Sequence, residues 1–442
     1  MSVDTKPNLA LILAFMILVF LPLKMFSFKL GVNLGFSRLF LTLGIILILG
    51  YMLSGHGRSA TYFLPRAYFN NNMCFLMFFA GLSFLYTYLT YSNSGEAYRV
   101  IIMGVRFFES TMVLPAIFFL LINSNKKRQQ VILKVVWWWR VAVYIAILQF
   151  ILSLIGLPLS YESIGEAAPE NTALFGGIVF LRVNSFFGEP RVLASLLIPI
   201  MMFYCITQDR ALSTSEKCLI AFVGAMTFSN TIVISLGICL ILRPFAGGSA
   251  TTKSMYLFAV LIVSLILTLT MIAFQDSIIS TVPRLQIIAD ISNSGLLSGA
   301  SESIGGDIAQ QLSDLLIVPY IFSGYFLGIE GLLGHGLGSN QLVLRALAQD
   351  FFGFTNPDVL FGTRFMVFLL VLDIGLIGCL IFIKIALDLI ACASKKSKSP
   401  QLFRYYSYCI IAVALFNDSY FFICYLMFLS VLKGLSDKRD YH

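Results

Sequence analysis

The segment Arg182-Val183-Asn184-Ser185-Phe186-Phe187-Gly188-Glu189-Pro190-Arg191 brings two arginines and a carboxylate to the point where an apolar run begins. Pro190 suits the first turn of a helix, where its missing N–H removes no intrahelical bond. Arg191 would then sit at a helix N-terminus, and backbone N–H groups beside a guanidinium make a good seat for a phosphate. Pairing of Glu189 with Arg191, or of Arg191 with lipid headgroups, fits the same residues. A second stretch, Gly324 to Asn340, carries six glycines in fifteen residues together with His335. Those glycines permit left-handed turns and close approach of a ligand to backbone N–H groups. Ser339 or Asn340 can cap a following helix that carries Arg345. Arg284 lies upstream in the first of two polar–apolar stretches, 283–297 and 302–318, whose isoleucines and leucines recur at helical spacing. The chemistry on offer is retention of a phosphorylated anion by Arg182, Arg191, Arg284 and Arg345, with proton transfer or hydroxyl orientation by His335 or Glu189. Metal chemistry has no visible seat: no Cys-x-x-Cys pair and no His–Cys cluster occurs among the eight cysteines.

These residues must be positioned by a very apolar chain. Of 442 residues, 58% are hydrophobic and only 12% charged, and the mean hydropathy is +0.88. A soluble domain carries about 25% charged residues. The balance excludes a soluble enzyme, a nucleic-acid binder and a disordered protein, and points to one polytopic membrane domain over 1–442.

Apolar runs near twenty residues are long enough to cross a bilayer. They occur at 9–27, 38–54, 73–91, 100–122, 133–156, 190–207, 254–274 and 363–390. Two more blocks, 216–243 and 402–433, are too long for one span. The rule that Lys and Arg gather in cytoplasmic loops decides their number. Lys126-Lys127-Arg128, the Lys395–Lys398 run, and Lys433 with Lys438 and Arg439 all fall inside only if 216–243 breaks at Phe228-Ser229-Asn230-Thr231 and 402–433 breaks at Asn417-Asp418-Ser419. The expectation is therefore an all-α polytopic membrane protein of about twelve transmembrane helices. Both termini would be cytoplasmic, and two large external loops would lie at 157–189 and 275–361, the second containing short helices. With their borders, the loops hold twelve of the 22 acidic residues and no lysine. The net charge of +8 is thus mostly a topology signal, and the external arginines stand out against it.

Charges inside spans are costly and usually paired or functional. Arg106 with Glu109, and Lys384 with Asp388, are spaced as pairs on single helices. Asp373 and Asp418 have no local partner in sequence; lining a polar cavity and hydrogen bonding at a helix contact both fit. Trp137-Trp138-Trp139 beside Lys134 and Arg140 reads as an interfacial anchor.

Taken together, the twelve spans, the late external loop, Arg-x-x-Ser-Phe-Phe-Gly-Glu-Pro ahead of a span, the Thr227-Phe228-Ser229-Asn230 break and Gly334-His335-Gly336-Leu337-Gly338-Ser339 resemble the bacterial O-antigen polymerase (Wzy) and O-antigen ligase superfamily. Many relatives have Ser-Arg where this chain has Ser229-Asn230, so no arginine role carries to that position. The resemblance implies a membrane glycosyltransferase that joins oligosaccharide repeat units carried on undecaprenyl pyrophosphate, at the outer face of the bacterial cytoplasmic (inner) membrane. It implies no cofactor. Implied partners are the lipid-linked glycan, membrane lipid, a chain-length regulator and a flippase. Arg182, Arg191 and Arg284 would hold the pyrophosphate, with Arg345 a further candidate, and His335 would lie near the reaction centre. A ligase using the same donor, and a lipid-linked oligosaccharide flippase or transporter, are the alternatives.

Overall fold

The computed structural model describes residues 9–23, 27–29, 33–35, 39–46, 68–91, 97–122, 124–155, 172–175, 178–246, 254–256, 328–352, 366–417 and 419–437. Outside them lie Arg284, the stretches 283–297 and 302–318, Asp418 and most of the expected span 254–274.

The protein is helical and built for a membrane. Among the described residues five helices are long and apolar enough to cross one: Asn71–Tyr91, Val100–Leu121, Asn125–Leu154, Pro190–Thr207 and Met366–Ser394. Besides helical residues at 39–46, the described helices include, in chain order, α1 (Leu9–Phe20), α2 (Asn71–Tyr91), α3 (Ala97–Phe108), α4 (Leu114–Leu121), α5 (Asn125–Leu154), α6 (Pro190–Thr207), α7 (Thr214–Met226), α8 (Asn230–Leu242), α9 (Ile329–Leu333), α10 (Asn340–Phe352), α11 (Met366–Ser394), α12 (Pro400–Asn417) and α13 (Ser419–Asp437). A π-helical turn, Glu109–Val113, joins α3 to α4. Two antiparallel hairpins depart from the helical pattern. Strands β1 (Ser27–Lys29) and β2 (Asn33–Gly35) pair after α1, while β3 (Thr172–Phe175) and β4 (Ile178–Leu181) pair ahead of Arg182. The first helix is thus shorter than the apolar run 9–27, whose last residue already belongs to a strand.

Two compact units divide the chain, each discontinuous in sequence: residues 1–73, 108–246 and 385–442 form one, and 74–107 with 247–384 the other.

In the first unit α6 is the central helix. Fifteen of its residues, Pro190 through Phe203 with Cys205 and Ile206 but without Arg191, are buried. It packs against α5, α7, α8 and α12. Phe203 anchors this core, with the rings of Tyr425 and Phe428 both 4.9 Å from its own. Trp139 joins the same cluster, 5.1 Å from Phe421, and its indole N–H donates to the Val19 carbonyl at 3.2 Å. The Trp triplet therefore splits. Trp137 and Trp138 are 48% and 46% exposed, as an interfacial anchor requires, whereas Trp139 is 1% exposed and belongs to the core. Three consecutive residues span about 200° of a helix, so they cannot share one face.

The α7–α8 break argued from charge parity occurs, and the one expected at Asn417-Asp418-Ser419 centres on Asp418, outside the described residues. Helix α7 ends at Met226 and α8 starts at Asn230; Phe228 between them takes φ +46°, and the Ser229 hydroxyl accepts the Thr231 N–H at 3.4 Å. Helix α12 ends at Asn417 and α13 begins at Ser419. A capping box of exposed Ser213 and buried Glu216 starts α7. The Glu216 carboxylate also receives Arg210 through two bonds of 2.6 and 2.7 Å and Arg140 at 3.2 Å.

In the second unit α11 is interrupted. Gly375 takes φ +67°, ψ −179°, so the helical ladder stops and resumes there. Backbone that leaves the helix inside a membrane protein must find other partners. Here it finds them in the glycine-rich segment.

The polar pairs expected within spans are not how those residues are used. Arg106 reaches back to the Met103 sulfur at 4.0 Å, and a π-helical turn begins at Glu109. Lys384 and Asp388 are both exposed on α11.

Candidate functional site

The arginine-bearing segment is a rigid turn clamped onto α5 and onto the α7–α8 break. Val183 donates its N–H to Met226 at 3.1 Å, and Arg182 donates from Nε to the Thr227 carbonyl at 3.1 Å. Both carbonyls stand at the C-terminal end of α7, where a helix leaves its last acceptors unfilled. A guanidinium at such an end also meets the negative pole of the helix.

The following residues are fixed by one buried amide. Gln149 on α5 accepts the N–H groups of Asn184 (3.1 Å) and Ser185 (2.8 Å), and its Nε2 donates to Asn184 Oδ1 at 2.8 Å. Asn184 Nδ2 in turn donates to the Gly188 carbonyl at 3.1 Å, and the Ser185 hydroxyl donates to the Ala142 carbonyl. Gln149, Asn184 and Ser185 are each at most 2% exposed. The turn uses two positive φ values, +50° at Ser185 and +83° at Gly188. Glu189 then takes an extended conformation as the residue before α6, Pro190 opens the helix, and the Glu189 carbonyl accepts the Leu193 N–H at 3.2 Å. Glu189 is exposed and Arg191 half-buried. Arg182 and Arg191 therefore flank a fixed turn at a helix N-terminus. Sequence reasoning passed over Gln149, although a lone amide in the apolar run 133–156 was the available signal.

The histidine segment is held equally firmly, on the broken helix α11. His335 donates its N–H to the Leu372 carbonyl at 2.8 Å and Gly336 donates to the Asp373 carbonyl at 3.1 Å. Leu337 donates to the Ser83 hydroxyl on α2 at 2.8 Å. Gly334, Gly336 and Gly338 all lie at φ between +83° and +103°. A Cβ on Gly338 would stand 2.6 Å from the Val100 carbonyl, and one on Gly334 would stand 2.5 Å from the Asp373 carbonyl. The glycines thus serve backbone-to-backbone packing. Gly334 donates its N–H to the Glu330 carbonyl and Gly336 to Asp373 on α11, which differs from the expectation that these donors would face a ligand.

Asp373, the carboxylate without a sequence partner, caps α10. Its Oδ1 accepts the Asn340 N–H at 3.0 Å, and Asn340 Nδ2 reaches both oxygens at 3.0 and 3.1 Å. The Ser339 carbonyl accepts Leu342 and Val343, so the helix start expected at Ser339 or Asn340 is present. The acid at its head comes from another helix. A carboxylate there is favoured by the positive pole of α10.

His335 projects from this frame with its side chain 18% exposed, and Nδ1 lies 3.7 Å from the Glu330 carboxylate. Burial lowers its pKa below the ordinary 6.5, against the opposing pull of Glu330. A neutral imidazole near pH 7 can accept a proton. Arg345 lies half-buried on α10.

Of the six candidate residues, Arg182, Glu189 and Arg191 belong to the first compact unit, and His335 and Arg345 to the second. Arg284 lies outside the described residues. Among those described, no group of three or more His, Cys, Asp or Glu could hold a metal ion. No protein-family model matches the chain, and no curated protein matches it.

Proposed function

We propose that the protein is a membrane glycosyltransferase that polymerises oligosaccharide repeat units carried on undecaprenyl pyrophosphate, giving O-antigen or capsular polysaccharide. The reading includes about twelve spans in the bacterial inner membrane, cytoplasmic termini and a reaction on the outer face. One observation carries it: Arg182 and Arg191 flank a turn fixed by Gln149 at the N-terminus of a buried membrane helix.

In the reaction, the acceptor hydroxyl attacks the anomeric carbon of the donor glycan, the carbon–oxygen bond to pyrophosphate breaks, and the carrier leaves as its pyrophosphate. Negative charge grows on the leaving oxygens, so cations already fixed in place stabilise the transition state without reorganising. Arginine suits this better than lysine because its planar fork matches phosphate oxygens. The α6 N-terminus adds its N–H groups. The proton lost by the acceptor hydroxyl would pass to Glu189, which lies on the same segment as the arginines.

The broken helices favour a second reading. Secondary transporters place substrates at discontinuous helices, and the α7–α8 and α11 interruptions have that form, so a lipid-linked oligosaccharide flippase is the competing function. A ligase shares the donor and differs in acceptor. Deleting the gene and resolving surface glycan on a gel tests all three. A single exported repeat supports the polymerase. Polymer stranded on the carrier lipid indicates a ligase, and loss of all exported units indicates a flippase.

A further inference from the structure

A cleft of about 480 Å³ opens between α1 and α5, lined by Leu11, Ile12, Phe15, Lys127, Gln130, Val131, Lys134 and Trp138. It plays no part in either arginine- or histidine-bearing segment. The α5 residues recur at spacings of three and four, which puts them on one face of the helix. From Lys127 to Trp138 that face runs roughly 16 Å along the helix axis. Two cations line it, and among the described residues no acidic one does. Arg128, between them in sequence, is turned away: its Nη2 donates to the Phe119 carbonyl at 2.8 Å and its Nη1 to Asn125 Oδ1 at 2.6 Å.

We infer that this cleft is a binding site for an anionic phospholipid. Both helices are apolar and α5 is long enough to span a bilayer, so a cleft on their flank faces lipid. Leu11, Ile12, Phe15, Val131 and the Trp138 ring offer a wall for acyl chain. Lys127 and Lys134 lay their methylene stems along that wall and carry ammonium groups to the headgroup phosphate. Gln130 supplies a neutral donor between them. Basic clefts beside membrane helices select anionic headgroups in this way. The inference needs only the membrane reading and stands apart from the glycosyltransferase proposal.

The protein provides its own reporter, because its three tryptophans all lie at 137–139. The purified full chain in neutral detergent is titrated with brominated phosphatidylglycerol or brominated phosphatidylcholine, and tryptophan quenching is followed. The anionic lipid should bind on the order of tenfold more tightly than the zwitterionic one. The Lys127→Gln/Lys134→Gln variant should bring the two lipids to parity, and Lys134→Gln alone carries the same test with a smaller loss. Lys126→Gln, altered on the same helix outside the cleft, should keep the preference. Equal quenching by both lipids in the unaltered protein would overturn the site. So would an undiminished preference in the lysine variants, or an equal loss in Lys126→Gln, which would reveal attraction to a charged surface rather than a cleft.

Discussion

Asn340 and Asp373 hold each other through three hydrogen bonds of 3.0 to 3.1 Å, and so fasten the start of α10 to the interrupted helix α11. Both side chains are buried. Removing the carboxylate leaves buried donors without an acceptor, which costs about 1–3 kcal/mol for each group. Asp373→Ala should therefore lower the unfolding midpoint in detergent and raise hydrogen exchange at residues 339–343. Asp373→Asn, which keeps one acceptor oxygen, should do so by roughly half. Unchanged exchange in Asp373→Ala would show that the cap contributes nothing.

The glycines divide into two kinds that a single substitution separates. Gly338→Ala would drive a Cβ against the Val100 carbonyl at a φ of +92°, and should destabilise by more than about 2 kcal/mol through strain and displaced backbone. Gly81→Ala and Gly237→Ala meet nothing within 4 Å on their helices. They should be neutral or stabilise by about 0.5–1 kcal/mol, the helix propensity difference. Thermal unfolding of the three variants in one detergent decides the matter.

Gln149→Leu tests the clamp on the arginine segment. It removes both acceptor bonds to Asn184 and Ser185 and the donor to Asn184 Oδ1, at a cost of roughly 2–4 kcal/mol for buried groups left unmade. Exchange should rise at 183–188 while the α12 and α13 amides stay protected. Gln149→Glu keeps the acceptor and should recover much of the protection. Equal protection in all three proteins would mean that the turn holds without Gln149.

Much of this frame could be read from residues alone, and the parts that could not have physical causes. Ser229 and Asn230 betrayed the α7–α8 break because polar residues in an apolar block, together with loop charge, leave few topologies. The α10 start was legible from Ser339 and Asn340, yet its cap was not, because Asp373 comes from a helix thirty-three residues away. Gly375 gave no warning, since isolated glycines are common in apolar helices. The fate of Trp139 depends on the rotation of α5 against α1. For the site, sequence supplied the arginines and His335, while their anchors, Gln149 and the broken helices, are relationships between distant segments.

His335 links stability to pH. Burial lowers its folded-state pKa below the ordinary 6.5, so the unfolded chain binds the proton more readily. The stabilisation is fully present above the ordinary histidine pKa and is lost as pH falls through it toward the folded-state value. The unfolding midpoint should drop between pH 7.5 and pH 5, and His335→Gln should flatten that part of the profile. An identical pH dependence in His335→Gln would assign the effect to other groups.

The central claim is that arginines around a fixed turn hold a pyrophosphate-linked donor. Its most direct test is the length of surface glycan in cells whose only copy carries Arg191→Ala, with Arg191→Lys beside it. Losing a fixed cation from a developing phosphate charge costs about 100- to 1000-fold in rate. The account predicts single repeat units from Arg191→Ala at normal membrane abundance, with partial recovery in Arg191→Lys. Full-length polymer from Arg191→Ala would contradict it.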